Sequence, residues 1–256
     1  MPFFRMLRRW WVRRGPIPPE WEEILERRAA FYRYLPQATR RKLHRRIQVF
    51  MGEKIFEGCG GLELREEMRV IIAAYACMLI LEEPSDYYPA LKAILVYPDE
   101  YVAPVHYEDY GGIVTEGYEE RSGESWNPGN IVLSWRDIEL DLERPFERRN
   151  LIYHEFAHQM DFRYGISAGI SWEGDTDSEN AWTQALARTY RRLIKKSERG
   201  ARDVLDLYGA TNPAECFSVA TEAFMENPHA LKRRDPELYT QLRALYGLDP
   251  ATFLPV

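Results

Sequence analysis

Two histidines four residues apart, with a glutamate directly after the first, are the residues best placed to do chemistry: His154, Glu155 and His158, in the run 150–161 that begins at Asn150 and ends at Asp161. Residues four apart on an α-helix lie on one face, one turn above the other, so two imidazoles in this spacing can meet on one metal ion. Glu155 follows the first histidine, which sets its carboxylate beside the ion rather than on it. There it can take a proton from water, the general-base role that makes zinc in this motif hydrolytic. Leu151, Ile152, Phe156, Ala157 and Met160 supply the apolar side of the helix, and Gly165 is its expected stop. The chain has five histidines; His44, His106 and His229 lack a partner at ligand spacing and are expected at the surface or in the core. The expected cofactor is one zinc ion per chain.

A hydrolytic zinc needs a third protein ligand and one open position. The candidate region is 206–224. Asn212 followed by Pro213 predicts a helix start, and Glu215 falls at the third helical position. The same Asn-Pro-Ala-Glu run reads as a capping box, in which Glu215 serves only the helix end. Glu222, two turns on along the same face, is the rival ligand. Asp161 shares the face of His154 and His158 and is expected to orient a ligand histidine by hydrogen bonding. Spacing alone leaves both Glu215 and Glu222 open.

The surrounding elements follow from periodicity. Residues 1–15 form a basic amphipathic segment: Phe3, Phe4, Met6, Leu7, Trp10 and Trp11 share one face of a helical wheel, with Arg5, Arg8, Arg9 and Arg13 opposite. That pattern suits peripheral contact with an anionic membrane through residues 3–14, or docking on the protein's own body. Pro16, Pro18 and Pro19 end it. Helical patterns are expected over Glu20–Tyr34, Gln37–Met51 and Leu64–Leu81, the last largely buried. Arg40, Arg41, Lys42, Arg45 and Arg46 form the solvated outer face of the second. Ala93–Tyr97 and Ile131–Trp135 read as strands, with a weaker one after Gly111 and Gly112 over residues 113–118. Beyond Pro145 the pattern is helical again. Helices, a small sheet, then helices make an α+β fold. The expected layout is a single domain over 16–256, with a helical part at 16–90, sheet and metal helix at 91–165, and a second helical part at 166–256.

Composition narrows the function. The chain has 256 residues, 45% hydrophobic, a net charge of -6 and a pI near 5.6, so nucleic acid is not an expected partner. Three scattered cysteines, Cys59, Cys77 and Cys216, make no disulfide framework and fit a reducing compartment. No apolar run reaches membrane-span length and no secretory signal pattern is present, which makes the cytoplasm the expected location.

The block HEFAHQMD at 154–161, followed by LYGATNPAECFSVATEAF at 207–224, resembles the Mlc titration factor A (MtfA) family of zinc peptidases. NPGNIVLSW at 127–135, with Gly123 and Trp126 before it, resembles the same family, and the likeness runs from about Ile94 to Phe224. The resemblance implies a zincin-like core with a small mixed sheet. It implies zinc on His154, His158 and Glu215, Glu155 as general base, and Tyr208 as a hydroxyl facing the reaction centre, where a phenol can donate to an oxyanion. It implies aminopeptidase-like cleavage of short peptides, and a transcriptional repressor as a further partner. Two rival functions stand beside this one: a regulatory protein whose peptidase activity is incidental, and a different zinc hydrolase such as an amidase.

Overall fold

Proline starts and opposed charges shape the N-terminal helices. In the computed structural model, which describes residues 9, 15–83, 87–99, 101–108, 114–121, 123–124, 129–147, 149–171 and 173–256, α1 runs Pro19–Arg28 with Glu20 and Glu22 in its first turn and Arg27 and Arg28 in its last, matching the helix dipole. The helix expected over Glu20–Tyr34 is broken at Ala29, whose extended backbone (φ -98°, ψ 95°) passes the chain into a short 3-10 turn, Ala30–Tyr34. α2 (Gln37–Glu53) leads to β1 (Ile55–Gly58), α3 (Glu66–Leu79) and β2 (Ala93–Tyr97). β3 (Tyr101–Glu108) and β4 (Val114–Arg121) form a separate antiparallel hairpin. The weak strand expected over 113–118 is β4; Gly111 and Gly112 lie outside the described residues, as does all of the 1–15 segment except Arg9 and Gly15.

β5 (Gly123–Glu124) and β6 (Asn130–Ser134) complete a sheet of order β1-β2-β6-β5, with β1, β2 and β6 parallel and β5 antiparallel. This is the small mixed sheet of an α+β, zincin-like fold. β6 ends one residue sooner than expected, because the Ser134 hydroxyl accepts from Asp137 N (3.2 Å) and caps α4 (Trp135–Glu143). Gly123 and Glu124 pair with Leu133 and Val132, so β5 lies at the sheet edge beyond β6.

α5 (Leu151–Tyr164) carries the HExxH run. α6 (Ala181–Glu198), a 3-10 turn (Leu207–Ala210), α7 (Pro213–Glu226), α8 (Pro228–Arg234) and α9 (Pro236–Tyr246) follow. Among the described residues no helix is long and apolar enough to cross a membrane. One continuous core joins these elements, with α3 buried along nearly its whole length. The back of α5 is fixed by aromatic contacts: Phe156 meets Tyr88 (4.8 Å between centroids) and Phe50 (5.8 Å), and Tyr153 meets Tyr75 (5.1 Å).

The basic face of α2 is not wholly solvated. Arg46 is 5% exposed; its guanidinium donates to Leu81 O (3.3 and 3.0 Å) and to the Tyr87 hydroxyl (3.2 Å). It shares the helix face of Leu43, Ile47 and Phe50, and its charge is met by the connection that follows α3. Lys54, 7% exposed, donates likewise to Tyr88 O (2.6 Å) and Leu91 O (2.7 Å). Arg40 and Lys42 are paired with Glu26 and Glu82. Arg9 forms a two-pronged ion pair with Glu53 (2.7 and 2.8 Å), its guanidinium 4.5 Å from the Tyr87 ring centroid, so this one residue of the basic segment rests on the body. Arg46→Met leaves the Leu81 carbonyl unmet and should lower unfolding free energy by about 2–3 kcal/mol. Urea titration checks this, and an unmoved midpoint refutes it.

Candidate metal centre

Two helix starts place the chemical groups. Asn150 caps α5, its Oδ1 accepting from Tyr153 N (3.0 Å), and Gly165 ends the helix in the left-handed region (φ 61°, ψ 41°), where glycine carries no Cβ penalty. Leu151, Ile152, Phe156, Ala157 and Met160 are buried on one side, while the side chains of His154 and His158 keep 13% and 18% exposure on the other. Asn212 caps α7 by accepting from Glu215 N (2.9 Å). The Glu215 carboxylate does not confine itself to the helix end: it turns to the two histidines.

Three donor atoms converge. Glu215 Oε2 lies 2.9 Å from His154 Nε2 and 3.3 Å from His158 Nε2, and the two Nε2 atoms are 3.2 Å apart. Ligands at about 2.0–2.1 Å around a tetrahedral zinc sit about 3.3 Å from one another, so the three atoms already form one face of such a tetrahedron. The tautomers point the same way. Glu222 Oε1 lies 2.7 Å from His154 Nδ1, which therefore carries the proton and donates it. Nε2, on the other side of the ring, then needs positive charge between itself and the Glu215 carboxylate, which either a proton or a metal ion supplies. The electrostatics follow. Burial disfavours a charged His154, yet the hydrogen bonds of Glu215 and Glu222 hold its pKa well above the ordinary value. Burial likewise pushes Glu215 up, but His154 and His158 hold it at about 2. The donor set therefore fits a divalent ion that favours nitrogen and oxygen.

Glu155 is 4% exposed, and its Oε2 is buried without a hydrogen-bond partner. Burial raises its pKa; His154 and His158 oppose the rise, and Glu215 and Glu222 add to it. An orphaned carboxylate oxygen beside the three converging donors fits a base awaiting a proton.

The remaining expected residues separate. Glu222 points away from the donor face; besides His154 Nδ1 it accepts from Asn150 N (2.6 Å), so it holds the ring rather than completing the triangle. The expectation that Asp161 orients a histidine is corrected: its oxygens accept from Ser167 N and Oγ (both 2.6 Å) and fasten the turn after α5. Tyr208 is 55% exposed, its ring centroid 6.0 Å from that of His154. Its turn is pressed against α6 and α7, because a Cβ on Gly209 would lie 2.5 Å from Val219 Cγ2 and 3.0 Å from Leu193 Cδ1.

Sequence reading missed a group behind the site. Asn150 Nδ2 donates to Glu226 Oε1 (2.8 Å), Phe146 N to Glu226 Oε2 (2.9 Å) and Leu151 N to Asp141 (2.7 Å). Burial pushes Glu226 up to about 7 and Asp141 to about 6. The available signal was Glu226 four residues past Glu222, hence on the same helix face.

Residues 4–247 match the profile of the family described as glucose-regulated metallo-peptidase M90. An uncharacterized protein of Synechocystis sp. is 41% identical over 236 residues, covering 92% of this chain and 86% of the relative. The Mlc titration factor A of Cronobacter sakazakii is 32% identical over 248 residues (92% and 88%), and that of Serratia proteamaculans 32% over 200 residues (74% and 72%).

Proposed function

The chain belongs to the glucose-regulated metallo-peptidase M90 family, and from that premise we propose that it is a zinc-dependent peptidase acting on short peptides with aminopeptidase-like preference. The observation that carries this reading is the buried, unpartnered Glu155 oxygen beside the convergence of His154, His158 and Glu215. These three residues would hold one zinc ion per chain, which when bound supplies Lewis acidity toward water and a peptide carbonyl. Glu155 takes the proton of the attacking water and returns it to the leaving amine. Tyr208, beside His154, donates its hydroxyl to the developing oxyanion. Glu222 keeps the His154 ring in one tautomer and orientation.

The test pairs metal analysis with catalysis. Purified protein should contain one zinc per chain and cleave peptides from a panel of short chromogenic substrates. Chelation should remove activity by a hundredfold or more, on the order expected for loss of a catalytic metal, and added zinc should restore it. Cleavage that persists after complete metal removal sinks the proposal.

A second reading is supported by the name of two relatives, Mlc titration factor A. A transcriptional repressor is then a protein partner of this chain, with peptide cleavage incidental. Repressor capture by the Glu155→Gln protein, with no hydrolysis by wild type, would favour it.

A further inference from the structure

The apolar side chains of α5 are buried behind the metal face, with two exceptions near its end: Phe162, 63% exposed, and Tyr164, 49% exposed. The Arg163 guanidinium lies 5.2 Å from the Tyr164 ring centroid. Phe162 has a different position. It continues the row of His154 and His158 by one further turn, about 5–6 Å beyond His158. At about 100° per residue, it sits about 80° around the helix from His154, between the directions of His158 and Glu155. Asp161 points to the opposite flank, toward Ser167. Phe162 is therefore on the flank from which Glu155 serves the attacking water.

Tyr208, from the turn before α7, lies beside the His154 ring and is 55% exposed. Each of the two histidines thus has a large, exposed aromatic near it: Tyr208 against the His154 ring, and Phe162 one helical turn beyond His158. Ligand sites combine apolar walls with a few directed polar groups, and two aromatics beside the histidines could supply such walls. Side chains on one face of an extended peptide repeat about every 6.6–6.8 Å, close to the one-turn step from His158 to Phe162.

We propose that Phe162 is a specificity-determining residue, forming with Tyr208 the apolar walls that receive a hydrophobic side chain flanking the scissile bond. The inference rests on the peptidase reading and adds its substrate class: peptides with leucine, methionine or phenylalanine at that position, over glycine or aspartate.

The experiment compares wild type, Phe162→Ala and Phe162→Leu on peptides identical except for leucine, glycine or aspartate beside the bond. Wild type should favour leucine over glycine in kcat/KM by about tenfold or more, the scale of an apolar contact in a pocket. Phe162→Ala should lower that ratio about tenfold, and Phe162→Leu should keep most of it. Calorimetry in the Glu155→Gln background should show the same loss of leucine-over-glycine binding, with zinc content and melting temperature as in wild type. A merely structural role would slow all peptides alike, and an unchanged ratio in Phe162→Ala overturns the inference while leaving the peptidase standing. Failure of wild type to cleave any peptide fells the peptidase reading and this inference with it.

Discussion

Glu155→Gln should lower peptide hydrolysis about a thousandfold while zinc content stays at the wild-type level. Glutamine preserves the volume of the side chain and loses only its ability to take a proton. No hydrogen bond ties Glu155 Oε2 to its surroundings, so the exchange strips nothing from the geometry of His154, His158 and Glu215. Burial and two neighbouring carboxylates already press upon its charge, so a neutral amide should leave the melting temperature equal or higher. Elemental analysis, kcat and calorimetric melting on one preparation check all three. More than a tenth of wild-type activity in the variant would remove Glu155 from the mechanism.

Glu215→Ala should weaken zinc binding about a hundredfold to a thousandfold, roughly a quarter of the free energy of a four-ligand site. Glu222→Ala should weaken it less, by about ten- to a hundredfold, because it removes the group that orients and polarises His154 and leaves all three donors in place. Asp161→Asn should leave zinc affinity within about twofold and lower stability by about 1 kcal/mol, since Asp161 serves the turn at Ser167. Competition against a chromogenic chelator ranks the three. Equal losses at Glu215 and Glu222 would contradict the assignment of one to the donor face and the other to the back of the ring.

That pair also shows what sequence can and cannot resolve. The HExxH spacing is legible because two histidines a turn apart must share a face, whatever the rest of the chain does. Glu215 and Glu222 are seven residues apart on one face of α7, and both reach His154, one at Nε2 and the other at Nδ1. Periodicity places both beside the ring but is blind to which nitrogen each meets. Asp161 has the right face too, and is claimed by a turn whose shape depends on Gly165. Arg46 is misread by residue type: its position between Leu43 and Phe50 marks the buried face, and a distant carbonyl accounts for its burial. β3 is obscured by Pro104 and His106, which dilute the strand pattern. The α+β order of elements survives these errors because the apolar runs of α3, β2 and β6 are unambiguous.

The grip of α7 on the start of α5 has a consequence for how the protein answers to its surroundings. One helix bears the Glu215 donor, the Glu222 contact to the back of His154, and the Glu226 contact to Asn150. The Glu222 and Glu226 contacts lie behind the donor face and are made by protein alone, so they hold the two helices together independently of what the donors bind. For the proposed zinc peptidase, ion loading then needs no folding step, and its output should follow the free zinc level of its surroundings as a rapid, reversible dial.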